Sequence, residues 1–254
     1  MAKQFGLVLL QGSLGDTTFV RTKNGFRAQR KTSLNRNRIA NDPNYEGLRN
    51  HMAEFVRASK AGKLVRQHFQ LLIQHCKDGN MHRRLTGLLV QAIKMDSTHP
   101  MGLRNLQDGK LSLLENFEFN INSSFASALS AGYTTSFDRA SGEAKIMINP
   151  FIPDRSLKAP GNATHYRISA AAAAIDFETQ STEKGMAEGS WLPITHTACA
   201  AQTFTISLPA ALTVPVLLAM KLEFCQEVNG VMNDLEDTRF NACCLVKVDI
   251  LAKS

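Results

Sequence analysis

The sequence predicts an α+β protein: an N-terminal β-ribbon and helical bundle followed by an antiparallel β-sandwich. Three observations carry this reading. Asn24-Gly25 lies between two β-type runs near the start, and apolar residues recur at helical spacing from Leu48 to Ile93. From Phe117 onward the period of the pattern drops to two. The expected domains are a basic β-ribbon and linker over 1–40, a helical region over 41–114 and the β-sandwich over 115–254.

In chain order, Gly6–Leu10 reads as a short apolar strand, followed by a turn-rich stretch. Thr18–Thr22 and Phe26–Arg30 read as a hairpin, because Asn-Gly accepts the positive φ that a tight turn demands at both central residues. Only Phe19, Phe26 and Ala28 make its face apolar, so the ribbon has little core of its own and needs a surface to lie on. Asp42-Pro43 signals a helix start, with Asp42 as cap and Pro43 at the first helical position. Leu48, Met52 and Phe55 then share a face, and a second set follows at Val65, Phe69, Leu72 and Cys76. The two sets are rotated by roughly 100° at 3.6 residues per turn, so a bend or a helix junction is expected at Gly62. Met81–Met95 is a further amphipathic helix, and Met101–Leu114 is ambiguous, with a break at Gly109.

Phe117, Phe119 and Ile121 open the strand region. Thr134–Asp138 with Ala144–Asn149, His165–Glu178, Thr203–Leu208, Val216–Val228 and Phe240–Leu251 follow, with Asn229-Gly230 as a turn. The alanine run 170–174 offers small residues where a facing layer can approach closely.

Composition bounds the function classes. Hydrophobic content of 44% and charged content of 20% belong to a folded globular chain, which excludes a disordered tail. The longest apolar runs fall well short of the roughly 18–20 residues a membrane helix needs. Met1–Ser13 lacks the apolar core of a signal peptide. Five cysteines without C-x-x-C spacing read as reduced thiols, so the expected location is cytoplasmic, with later release in a particle left open.

No chemistry-bearing motif stands out. Neither G-x-x-x-x-G-K-[ST] nor G-x-G-x-x-G is present, and Gly12-Ser13-Leu14-Gly15 reads as a tight turn. No G-x-S-x-G elbow occurs. His75, Cys76 and His82, and likewise His196 and Cys199, are each half of a zinc site without the remaining ligands. Asp176 and Glu178 lie on one side of the expected strand and have the residue types of a glycosidase pair, but a solvated strand face or a contact with a basic neighbour explains them far better. The expectation is therefore a non-enzyme without cofactor or metal.

Charge is the strongest signal. Residues 1–110 hold 19 basic and 7 acidic side chains, a formal +12, whereas 111–254 hold 10 and 15, a formal −5, which together make the +7 of the chain. The contact set is Arg21, Lys23, Arg27, Arg30, Lys31, Arg36 and Arg38, joined by Arg57, Lys60, Lys63 and Arg66. Such a set serves as a solvated face, as a nucleic-acid contact or as a dock for the acidic half of a neighbouring copy. For base stacking only Phe19 and Phe26 are near, and no known reader motif appears.

Three blocks carry a resemblance: GSLGDTTFVRTKNGFRAQRKT, RIANDPNYEGLRNHMAEFVRASKAGKLVR and EFCQEVNGVMNDLEDTRFNACCLVKVD. With them the chain resembles, over its full length, a family of uncharacterised bacterial proteins of about this size. The resemblance implies one conserved unit and brings no activity, cofactor or site residue.

Together these observations favour a non-enzymatic structural subunit that self-associates into a tube-, sheath- or capsid-like homo-oligomer. A nucleic-acid-binding protein using 21–66 is the second reading. The third is a glycan-binding sandwich with Trp191 as the stacking residue.

Overall fold

A computed structural model describes residues 2–6, 8–31, 36–76, 78–235 and 237–251. The chain divides into two compact units, Met1–Arg49 and Asn50–Ser254.

The first unit is an antiparallel sheet of four short strands, β1 (Ala2–Lys3), β2 (Gly12–Leu14), β3 (Thr17–Thr22) and β4 (Gly25–Arg30), in the order β1-β4-β3-β2. The hairpin forms, but its turn is displaced by one residue from the expected position. Thr22 pairs with Gly25, so Lys23 and Asn24 are the turn and Gly25, with φ +102°, opens the second strand. The Thr22 hydroxyl donates to the Gly25 carbonyl at 2.7 Å and accepts from the Asn24 N–H at 3.3 Å. The Gly6–Leu10 strand is not observed; Leu7 lies outside the described residues, and Gly6 and Val8–Leu10 are irregular. Gly6 takes φ +133°, which no strand sustains, and the Gln4 side-chain amide, not a neighbouring strand, binds the Leu10 backbone N–H at 3.0 Å. Helix α1 (Arg36–Asn41) follows, then a 3-10 turn at Pro43–Tyr45 capped by Asp42, whose carboxylate accepts from the Asn44 N–H at 3.0 Å.

Helix α2 (Glu46–His68) crosses the unit boundary without interruption. Its buried residues are Glu54, Ala58, Ala61, Gly62 and Val65, while Leu48, Met52 and Phe55, the stripe expected to face the core, are exposed. Nor do two helices join at Gly62. A side chain there would meet Leu89 and Thr86 of the helix at Met81–Lys94 at 3.3 and 3.4 Å, so this glycine lets the two helices close on each other. After α3 (Gln70–Ile73), helix α4 (Met81–Lys94) buries Leu85, Leu89, Ala92 and Ile93. The ambiguous stretch that follows is a loop ending in a 3-10 turn, Leu111–Leu114.

The expected strand at Phe117 is a single bridge between Glu118 and Cys244, although Phe117 and Phe119 are buried. Beyond it come α5 (Phe125–Ala128), β5 (Tyr133–Asp138), β6 (Glu143–Ile148), α6 (Pro153–Ser156), β7 (His165–Ile175), β8 (Thr182–Glu188), β9 (Leu192–Pro193), β10 (Gln202–Ser207), β11 (Val216–Val228), β12 (Val231–Asp234) and β13 (Ala242–Asp249). Strands β10, β6 and β5 form one antiparallel sheet. The larger sheet runs β12-β11-β7-β8, with β13 also on β11 and β9 also on β7.

Strands β7 and β11 are covered on both faces, which explains their nearly continuous apolar sequence. Ala171, Ala173, Leu217 and Ala219 pack with Val65, Phe69, Leu85 and Leu89 of the helical layer. Ala170, Ala172, Ala174, Leu218 and Met220 pack with Ile146, Ile148, Phe204 and Ile206 of the smaller sheet. The register sets Ala173 opposite Leu217, Ala172 opposite Leu218 and Ala170 opposite Met220, so over Val216–Met220 the large residues of β11 have small neighbours on β7. The second unit is thus three layers, helices on sheet on sheet, and the fold is α+β with a β-sandwich-like region. Among the described residues no helix is long and apolar enough to cross a membrane.

Candidate assembly interface

Residues directly opposed in an antiparallel pair share a face. The register therefore places Ala2, Leu14, Phe19, Phe26 and Ala28 on one face of the N-terminal sheet, with Arg21 and Arg30 among them. Lys3, Val20 and Arg27 lie on the other face. The Arg21 guanidinium sits 5.7 Å from the centre of the Phe26 ring. None of the described residues of this unit is buried. Phe5, Val8 and Leu14 are 87%, 77% and 72% exposed. Phe5 adjoins, and Val8 lies within, the stretch Gly6–Leu10 that the sequence marks as a short apolar strand.

The basic residues divide by unit. Arg21, Lys23, Arg30, Lys31 and Arg36 are exposed, and Arg27 is half-buried. Arg38 pairs with Asp42 at 3.2 Å and lies 5.8 Å from the Tyr45 ring centre. In the second unit Lys60 and Lys63 are exposed and Arg66 is half-buried. Arg57 serves the interior of its own unit, donating to the carbonyls of Gly102 and Arg104 at 2.6 and 2.9 Å. Glu54 accepts from the Gly102 N–H at 2.9 Å, so helix α2 clamps this loop from both charge types.

The same loop holds the one group of three potential metal ligands among the described residues, Asp96, His99 and Asp108. His99 Nδ1 lies 2.9 Å from Asp96 and 3.6 Å from Asp108. Burial pushes the Asp96 carboxyl up, but N–H groups of Thr98, Asn105 and His99 and the His99 ring more than offset this and hold it well below the ordinary carboxylate range. With its oxygens so engaged, Asp96 acts as a staple for the 96–105 loop, which D-x-x-H spacing in the sequence could have flagged. Of the half-sites read from sequence, His196 pairs with Asp154 at 2.9 Å, and His75 lies 3.8 Å from Asp234.

Asp176 and Glu178 do not share a strand face, because β7 ends at Ile175. Asp176 instead caps the following turn, accepting from the Glu178 and Thr179 N–H groups at 2.9 and 3.2 Å. Hydrogen bonding from Thr179, against a smaller effect of burial, holds its carboxyl below the usual range, the opposite of a catalytic acid. Both residues instead border a cleft of about 840 Å3, together with Asp108, Phe177, Ile250 and Leu251. Among the described residues its wall carries three carboxylates and no Lys, Arg or His.

No protein-family model matches the chain, and no curated protein matches it. Function must therefore be argued from the geometry. Trp191, the stacking residue of the glycan reading, is half-buried with the Arg167 guanidinium 4.5 Å from its ring centre. That cation occupies a ring face that a sugar would need.

Proposed function

We propose that the chain is a non-enzymatic structural subunit that self-associates into a larger homo-oligomer of tube-, sheath- or capsid-like type. Its basic N-terminal sheet docks on the acidic sandwich of a neighbouring copy. The observation that supports this reading is the absence of any buried residue among those described in Met1–Arg49. A short-stranded sheet with one apolar face and no core is marginal in water and gains its stability when that face is covered. The unit carries nine Lys or Arg against three acids, which suits an acidic partner surface.

Exposure of Arg21, Lys23, Arg30, Lys31 and Arg36 also supports the second reading, in which these cations neutralise phosphates of a nucleic acid. Size-exclusion chromatography with light scattering and a 260/280 nm ratio, on nuclease-free preparations at low and high salt, separates the two. A mass many times 28 kDa with a protein-like ratio is the expected result. A raised ratio that collapses in high salt would instead favour nucleic acid, and a 28 kDa species at both salts would overturn self-association.

A further inference from the structure

We infer that the cleft bordered by Asp108, Asp176 and Glu178 is the acceptor site for the tip of the β3–β4 hairpin, Arg21 to Phe26, from a second copy of this chain. The inference rests on the self-association reading and deepens it by naming the two surfaces that meet.

Four segments far apart in sequence build the cleft: the loop before the 3-10 turn at Leu111–Leu114, the β7–β8 turn, the β10–β11 connection and the stretch after β13. Their contributions are chemically uneven. Phe177, Val214, Ile250 and Leu251 make an apolar floor, and the three charged residues among those described in the wall are acids. A recess with walls of one sign concentrates its field on whatever enters. The Asp176 carboxyl, held below its usual range by Thr179, remains charged throughout the neutral region. Ile250 and Leu251 are exposed, so this part of the floor presents apolar surface that the described residues leave uncovered. The occupant this chemistry selects has a compact apolar centre flanked by cations.

The hairpin tip has that composition. Arg21 and Phe26 are opposed across β3 and β4 with the guanidinium over the ring, and Lys23 stands exposed at the turn. A two-residue turn keeps the tip narrow, since paired strands lie only about 4.8 Å apart. The aromatic ring would enter the apolar floor while Arg21 and Lys23 meet the carboxylates. Donor and acceptor are different surfaces of one molecule, so repeated docking is head-to-tail and generates a ring or a filament.

The test is a charge-reversal cycle on the full chain, read by light scattering across a concentration series, with circular dichroism to verify folding. Arg21→Glu/Lys23→Glu and Glu178→Lys alter exposed positions, and each is expected to weaken self-association about tenfold or more. Combining all three should cost less than the two losses summed, because one opposite-charge pair is restored while Asp108 and Asp176 still repel the reversed tip. Ile250→Glu provides a second probe of the acceptor and should weaken association in either background. If the wild type assembles but Glu178→Lys and Ile250→Glu assemble equally well, the cleft is not the acceptor, and self-association stands without it. Losses that simply add in the combined variant would also overturn the direct contact. A wild type that stays at 28 kDa throughout removes both the inference and the reading beneath it.

Discussion

Lys221 and Glu223, two residues apart on one face of β11, form an ion pair at 2.9 Å although both are buried. Glu223 also accepts from Arg167 of β7, with Nη2 at 2.7 Å and Nε at 2.8 Å, and Arg167 continues to Glu188. The carboxylate is therefore shared by two cations, while Lys221 has Glu223 as its ion-pair partner. Removing the shared partner is far worse than removing one cation, because it leaves buried charge uncompensated. Glu223→Leu is expected to cost about 3–5 kcal/mol, and Lys221→Met, which leaves Glu223 bonded to Arg167, about 1 kcal/mol. Urea unfolding of the two variants checks the order; equal losses would refute the account.

Asp96 makes the stability of the loop depend on pH. Its folded-state pKa is depressed, so its contribution is fully present above the unfolded value of 3.8 and is lost as pH falls through the folded value. Asp96→Asn keeps the shape but sets an amide against three N–H donors. The substitution should cost about 2 kcal/mol at pH 7. Below pH 3.8 the difference from wild type should shrink, which a series of unfolding midpoints will show.

Thiol accessibility offers a direct check of the three-layer packing. Cys76, Cys225, Cys243 and Cys244 are buried and Cys199 is half-buried, all as free thiols. Burial pushes the Cys225 thiol up to about 11 and raises Cys243 and Cys244 as well, so none of these three is a ready thiolate at neutral pH. An aromatic disulfide reagent should titrate one thiol quickly in the native chain and all five after denaturation. Two or more fast thiols would mean that the layers open.

The exposed stripe of α2 and the α4 residue packed against its buried face should differ in their response to substitution. Phe55 is 56% exposed, so Phe55→Ser should change the stability of the dissociated chain by less than about 0.5 kcal/mol. Leu89, fully buried opposite Gly62, should cost about 2–5 kcal/mol as Leu89→Ala. Thermal or urea denaturation at concentrations below any self-association gives both values.

Much of the secondary structure was legible because its causes are local. Val216–Val228 was read with the bounds it has, and Asn229-Gly230 turns with φ of 52° and 80° as an Asn-Gly pair allows. Asp42 caps where the Asp-Pro pair predicted. The first hairpin missed by one residue because Gly25 can open a strand as readily as occupy the turn. At Phe117 the alternation was real, but the backbone makes a bridge and ends.

The candidate interface was less legible. The sequence placed the cations, yet it could not show that Arg57 is bound to the 102–104 backbone while Lys60 and Lys63 face solvent. Asp176 and Glu178 were seen as a pair, but their meeting with Asp108 and Leu251 depends on chain folding across more than a hundred residues.

By itself, then, the sequence determined elements such as the helix at Met81–Lys94, the strand Val216–Val228 and the Asn229-Gly230 turn, since sterics and hydrogen bonds within a few residues decide them. It also determined the charge imbalance between the two parts of the chain. Tertiary structure alone decided which stripe of α2 is buried, that β7 and β11 are covered on both faces, and where the acidic walls converge. Burial is a property of pairs of surfaces, and two apolar stripes on one helix are equivalent until the layer that covers one of them is in place.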